Sequence, residues 1–321
     1  MALPCKTMLF VAIMAAATAQ GSNGQIPTSK QPSSLVPPST QFLYHSGPLL
    51  TGPSSINVYL IWYGAFSPSH KATISDFFAS FNPSSKALGR STISAWWTTT
   101  QAYKDRARKP VSGTVKIAGQ VSYTMAPLGK NLKKAQVAAL VKMAIAKRIF
   151  PSDANGVYMV FTASDISVER FCMGTCGFHD TLMLSTAQKV VYAHVGDPAS
   201  QCPGLCSWPF AVPMYGPLGP ALVAPNGVGI DGMIMNIATV LAGAATNPFK
   251  NGYFQGDALA PLEAVTACSG IFGAGAYPGY PGNLIVDPRS KASYNAYGVN
   301  GCRFLVPAMW DLLSVTCKVV A

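Results

Sequence analysis

The chain opens on an apolar run, Met8 to Ala17, behind a short segment that carries Lys6. The run is shorter than the ~20 residues needed to cross a bilayer. Ala17-Thr18-Ala19 follows as a small-x-small site, with Gln20 and Gly21 after it. This pattern predicts a secretory signal peptide over residues 1–19, cut after Ala19. Residues 20–40 show no hydrophobic period and are rich in Ser, Pro, Gly and Gln, which reads as a mobile leader. The ordered domain is expected over residues 41–321, starting at the cluster Gln41-Phe42-Leu43-Tyr44-His45.

Ile56 to Tyr63 is a continuous β-branched and aromatic run after the Gly52-Pro53-Ser54-Ser55 turn, and it predicts a buried strand. In Ser69 to Phe81, the residues Ile74, Phe77, Phe78 and Phe81 recur at helical spacing, and Pro83 closes the predicted helix. Ser94 to Tyr103, which holds Trp96 and Trp97, reads as a strand, as does Thr114 to Thr124. Lys133 to Ile149 is the clearest helix. Val137, Leu140, Val141, Ala144 and Ile145 form its apolar face, and Lys134, Lys142, Lys147 and Arg148 lie mostly off it as a solvated face. Gly156 to Ala163 and Lys189 to Val195 are predicted as buried strands.

Strands and helices alternate up to about residue 200, which predicts an α/β fold: a single domain with a mixed sheet flanked by helices. The second half is expected to be turn-rich and disulfide-bonded. Its turns are Ser207-Trp208-Pro209, Gly216-Pro217, Gly219-Pro220 and Ala224-Pro225-Asn226-Gly227. The apolar stretch Gly232 to Ala245 is too short to span a membrane and predicts a core helix over Gly229 to Ala245, with Asp231 as its N-cap. Gly270 to Gly282 is a Gly/Tyr/Pro loop.

Composition adds a charge and a compartment. The chain has 321 residues, 23 Lys and Arg against 12 Asp and Glu, and a net charge of +11. Its 49% apolar content excludes a disordered chain. A basic exported protein is drawn to anionic polymers, so an acidic polysaccharide is an expected partner. Nucleic acid is not expected, because the basic residues read as spread out and no nucleic-acid module is visible. After cleavage the cysteines are Cys172, Cys176, Cys202, Cys206, Cys268, Cys302 and Cys317. In an oxidising compartment they should pair, and the odd number leaves one over. The two C-x-x-x-C spacings admit zinc, but exported thiols oxidise, and disulfides are expected instead.

Candidate chemistry is sparse. The histidines are His45, His70, His179 and His194; there is no H-E-x-x-H and no G-x-S-x-G. Asp76, Asp105, Asp165, Glu169, Asp180, Asp197, Asp231 and Glu263 could supply a glycosidase pair, but spacing brings no two together. His179 lies close to Cys176, as a Cys–His nucleophile would, yet Cys176 is expected to be half of a disulfide.

Several short motifs point the same way. They are Leu49-Leu50-Thr51-Gly52, Ile61-Trp62-Tyr63-Gly64, Phe171-Cys172-Met173 with Cys176-Gly177-Phe178-His179, and Gln201-Cys202-Pro203-Gly204 with Cys206-Ser207-Trp208-Pro209-Phe210. The others are Ala224-Pro225-Asn226-Gly227, Asp231-Gly232-Met233, Thr246-Asn247-Pro248, Ala260-Pro261-Leu262-Glu263 and Gly298-Val299-Asn300-Gly301. With these, from about Tyr44 to its end, the chain resembles the EXORDIUM / phosphate-induced protein 1 family of plant secreted proteins. The resemblance implies a secreted protein of the apoplast and cell wall that regulates growth and cell expansion, of the brassinosteroid-responsive type. Together with the charge, the short apolar runs and the sparse chemistry, the expected action is by binding, to acidic wall polysaccharide or a cell-surface receptor, with no catalytic, cofactor or metal residues and no membrane span. A wall-modifying hydrolase or a degenerate metalloprotease-like scaffold is the alternative.

Some branches of that family carry a His-Glu-x-x-Glu run after the Asp-Gly-Met motif, which suggests a zincin-like fold. The matching positions here are Thr239, Val240, Leu241, Ala242 and Gly243, none a usual zinc ligand, with Glu263 left as a lone carboxylate. The family also shows a basic residue where this chain has Cys302. Cys302 is therefore expected to be the free thiol, with Cys172, Cys176, Cys202, Cys206, Cys268 and Cys317 in bridges whose fifteen pairings stay open.

Overall fold

The structure is a computed structural model that describes residues 41–52, 55–82 and 91–320. The expected signal peptide, the leader and Pro83 lie outside the described residues. Five strands form the central sheet: β1 (Ile56–Tyr63), β2 (Val115–Tyr123), β3 (Gly156–Thr162), β4 (Gly177–Met183) and β5 (Lys189–Gly196). Their order is β2-β1-β3-β5-β4. β1 is parallel to β2 and β3, β3 is parallel to β5, and edge strand β4 is antiparallel to β5.

Alternate residues of β1 feed two cores. Val58, Leu60 and Trp62 join Met159, Phe161 and Ala193 on one face; Tyr59, Ile61 and Tyr63 join Tyr158, Val160 and Tyr192 on the other. Side chains alternate across a strand, so a strand covered on both faces reads as an unbroken apolar run. Helix α1 (Pro68–Ala79) covers the first face with Ile74, Phe77 and Phe78. Ser67 caps it, its side chain accepting from the His70 N–H at 3.1 Å, and Pro68 takes the first helical position. Helix α3 (Lys134–Ala146) covers the second face with Val137, Leu140, Val141 and Ala144. It ends short of Ile149, where Arg148 turns to a φ of 57°.

Ser94 to Tyr103 is not a strand. Thr92 caps α2 (Ile93–Thr98), and a 3₁₀ turn follows over Thr99–Ala102. The adjacent tryptophans explain the correction. A strand would send them to opposite faces, whereas a helix sets neighbours about 100° apart, within reach of one core. Trp96 and Trp97 do share the first core. Their indole N–H groups donate to the carbonyls of Pro307 at 2.8 Å and Ser112 at 3.0 Å.

Two helices follow the sheet: α4 (Pro203–Cys206) and α5 (Val228–Thr246). Asp231 is not the N-cap of α5. Gly227, with a φ of 95°, starts the helix earlier and leaves Asp231 buried in the first turn. There it accepts from the Asn226 backbone N–H at 2.7 Å and side-chain amide at 2.8 Å. Among the described residues α5 is the helix long and apolar enough to cross a membrane, but 78% of it is buried inside the protein.

The rest of the second half consists of loops, short antiparallel ladders and two 3₁₀ turns, Thr266–Cys268 and Val299–Gly301. Ile285–Val286 pairs with Ser293–Tyr294, Ala296–Tyr297 with Arg303–Phe304, and Met309–Asp311 with Thr316–Lys318. Leu43–Tyr44 pairs with Tyr253–Phe254, which ties the start of the described chain to the segment after α5. The architecture is mixed α/β with disulfides, and nothing in it supports the zincin-like variant.

Candidate functional site

The bridges frame the site. Cys172 is bonded to Cys202 and Cys176 to Cys206, so both run between the C-x-x-x-C segments and not within them. Cys202 caps α4 and Cys206 ends it, four residues on, which puts both sulfurs on one side of the turn. The partner segment bends through positive φ at Cys172 and Gly174 to present the other two. A third bridge joins Cys268 to Cys317. Among the described residues Cys302 is a free thiol.

Beside these bridges, over the outer side of α5, lies a cleft of about 440 Å³. Cys176, Gly177, Asn236, Thr239, Val240 and Thr266 line it. Through Leu205, Trp208, Ser269 and Gly270 it continues into a second cleft of about 520 Å³, walled by Tyr215 and Tyr277. Trp208 and Gly279 carry the groove on into a third, of about 380 Å³, under Tyr280. Among the described residues no Asp, Glu, Lys, Arg or His lines any of the three. Trp208 is half-buried against Phe272, with ring centroids 5.9 Å apart, while Tyr215 and Tyr277 are 77% and 64% exposed. Proline and glycine hold the aromatic walls apart, which is why the sequence showed this region only as turns.

Behind the cleft sits a pair that spacing did not reveal. His179, on β4, holds its Nε2 2.9 Å from both carboxylate oxygens of Glu263. Their side chains are only 7% and 13% exposed. The Asn247 amide, at the end of α5, donates to Glu263 Oε1 at 2.7 Å, and the Glu263 N–H donates to Thr266 Oγ1 at 2.7 Å. Burial would raise the Glu263 carboxyl. The charge and hydrogen bond of His179, the Asn247 amide and Lys250 outweigh it and hold the group below its usual value. His179 Nδ1 is buried without a hydrogen-bond partner. A carboxylate-braced imidazole is the geometry of a general base, but a base must reach the proton it takes. Here Nδ1 is buried and meets no hydroxyl or thiol among the described residues. Cys176, the partner that spacing suggested, is spent in its bridge.

The other carboxylates are dispersed. Asp76 accepts from Asn300, Asp105 from Thr51, and Glu169 from the Lys134 N–H. Asp165 pairs with Lys130, and Asp180 with Lys134 and Lys250. Asp197 accepts from the Ala199 N–H. No group of three or more His, Cys, Asp or Glu able to hold a metal occurs among the described residues. A zinc ion does not fit the Thr239–Gly243 turn. Thr239 Oγ1 already donates to the Met235 carbonyl at 2.8 Å, and Gly243 has no donor atom to offer.

Comparison with known proteins matches residues 42–320 to the family described as phosphate-induced protein 1 conserved region. The chain is 44% identical to Protein PHOSPHATE-INDUCED 1 of Nicotiana tabacum over 287 residues, 88% of this chain and 89% of that protein. It is 46% identical to Protein EXORDIUM-like 2 of Arabidopsis thaliana over 281 residues, 86% of this chain and 88% of that protein. Protein EXORDIUM of Arabidopsis thaliana is 44% identical over 286 residues, 86% of this chain and 88% of that protein. No solved structure matches.

Proposed function

We propose, from the premise that this chain belongs to the phosphate-induced protein 1 (EXORDIUM) family, that it is a growth regulator which works by binding. The name of one relative records induction by phosphate, and the growth role is what the family resemblance implies. The finer reading is that the protein is secreted to the apoplast and cell wall, supports cell expansion of the brassinosteroid-responsive type, and holds a wall polysaccharide. The signal-like N-terminus supports export.

The observation that carries binding is the groove around Trp208. Its walls are aromatic, its floor offers Asn236, Thr239, Thr266 and Ser269, and among the described residues no charged side chain lines it. Aromatic faces with a few hydroxyl and amide groups suit the apolar faces and hydroxyl edges of a neutral sugar chain. Hydrolysis of a glycoside calls on two flanking carboxylates, and among the described residues none lines this groove.

Titration of neutral wall glucan oligosaccharides into the protein tests the reading. Trp208→Ala and Tyr277→Ala should each lower affinity, by about tenfold or more for a central aromatic contact. Glucan affinity unchanged in both variants, or new reducing ends released from the glucan, would sink it.

A further inference from the structure

The loop Lys104–Pro110 shares no lining residue with the groove. It carries Lys104, Arg106, Arg108 and Lys109, all exposed, within six consecutive residues. The reading of the basic residues as spread out fails here. The acid among them, Asp105, is turned to the loop's own framework. Its Oδ2 accepts from Thr51 Oγ1 and its Oδ1 from the Lys109 N–H, both at 2.9 Å. The Asp105 N–H donates to the Lys109 carbonyl, and the Arg108 N–H to the Asp105 carbonyl, also at 2.9 Å. A bridge between Lys104 and Pro110 closes the loop, and the Tyr253 hydroxyl pins its entry by donating to the Lys104 carbonyl at 3.0 Å.

The cations are thus held together on a braced loop, and none of them pairs with a carboxylate side chain among the described residues. A closed loop of this length keeps their Cα atoms within about three extended residues, ~10 Å. That is close to one Debye length at physiological salt, so their fields add. Along one side runs a groove of about 440 Å³ lined by Thr51, Gln101 and Lys109 together with Pro110, Val111 and two glycines. Among the described residues no aromatic side chain lines it, so a base finds no wall on which to stack. Its hydroxyl and amide groups suit a polyhydroxylated chain, and the guanidinium forks beside it suit carboxylates.

We infer that this loop and groove are a docking surface for an acidic polysaccharide of the polyuronate type. The uronate carboxylates meet the Arg and Lys heads, while sugar hydroxyls meet Thr51 and Gln101. The choice of a sugar polymer rests on the extracellular placement proposed above.

The test compares two doubly neutralised variants of equal charge. R106Q/R108Q removes two loop cations; K142Q/K147Q removes two exposed cations, one on α3 and one at its C-cap. Binding to polygalacturonate is measured across a salt series, with melting temperature as the folding check. R106Q/R108Q should bind about tenfold more weakly with a shallower salt dependence, as expected for two exposed ion pairs. K142Q/K147Q should change affinity less than about twofold, as expected if only long-range charge is lost. Equal losses in both variants, or no loss in R106Q/R108Q, would overturn the proposal. So would a larger loss for duplex DNA than for polygalacturonate, which would mark a nucleic-acid surface. Neutral glucan binding is read in parallel and should stay intact in R106Q/R108Q. Loop-dependent polygalacturonate binding by a protein that is never exported would end the proposed function and leave this surface standing.

Discussion

The β-carbon that Gly243 lacks would lie 2.2 Å from Glu263 Oε2 and 3.1 Å from His179 Nε2. The helix is bare at this point because the buried pair stands against it. Alanine is the better helix former by about 1 kcal/mol, so Gly243→Ala would stabilise an open position. Here the new methyl must displace a carboxylate held by His179 and Asn247, an overpacking cost of about 1–3 kcal/mol together with the damaged pair. Net destabilisation of about 1–2 kcal/mol is expected in urea unfolding. With Glu263→Ala already present, the same substitution should become neutral or stabilising. Gly243→Ala raising the stability of the otherwise unchanged protein would contradict this account.

Asp231 predicts a pH dependence. Burial pushes its carboxyl up to about 7 from 3.8, against the pull of both Asn226 hydrogen bonds. The folded state therefore holds a proton that the unfolded chain has already released. A raised carboxyl is the reverse of an ion-paired one: stability is fullest below 3.8 and falls as pH rises towards about 7. At 1.36 kcal/mol per unit, the change across that window is about 2–4 kcal/mol. Asp231→Asn should remove this slope, so its unfolding free energy relative to wild type should drift upward between pH 4 and pH 7. A difference that stays constant across the window would show that Asp231 does not titrate there.

The paired bridges predict a particular loss. Each closes a separation of 30 residues, worth about 3–4 kcal/mol of chain entropy if it were alone. With one in place, the other closes only the short ring between neighbouring half-cystines, worth about 2–3 kcal/mol. Cys176→Ser/Cys206→Ser should therefore cost about 2–3 kcal/mol, and removal of both bridges about 6 kcal/mol, more than the sum of the single losses. Peptide mapping without reduction should link the segment holding Cys172 and Cys176 to that holding Cys202 and Cys206. Bridges inside either C-x-x-x-C segment would contradict the pairing.

The sheet was legible because β1, β3 and β5 are buried on both faces, and such strands carry continuous apolar runs. Edge strand β4 was missed: Gly-Phe-His-Asp-Thr-Leu-Met has no apolar alternation, because its residues are only partly covered. The tryptophan helix was misread because aromatic residues favour strands, and only the shared core made the helix the better solution. The His179–Glu263 pair was hidden for a different reason. Its members lie 84 residues apart, on β4 and in a loop, and no local spacing records such a contact. The groove was hidden as well, since Gly/Pro/Tyr turns announce loops but not the wall they build together.

Cys302 supplies the last prediction. Its sulfur is half-buried, 3.5 Å from Asp76 Oδ2. Burial comes first, and the neighbouring Asp76 charge adds to it; together they push the thiol up to about 11 from 9.0. The thiolate is the reactive form, so two units up means a thiolate population about a hundredfold smaller at pH 8. Alkylation of the folded protein by iodoacetamide should thus be slow, and it should fall on Cys302. Asp76→Asn removes the charge while keeping the shape and a group that can face Asn300, so labelling should quicken by about tenfold if the carboxylate accounts for roughly one unit of the shift. The rate should also rise tenfold per pH unit in the wild-type protein up to about pH 10, since the thiolate fraction grows with pH below its midpoint. Labelling as fast as that of a free cysteine, or a rate unmoved by Asp76→Asn, would show that Asp76 does not guard this thiol.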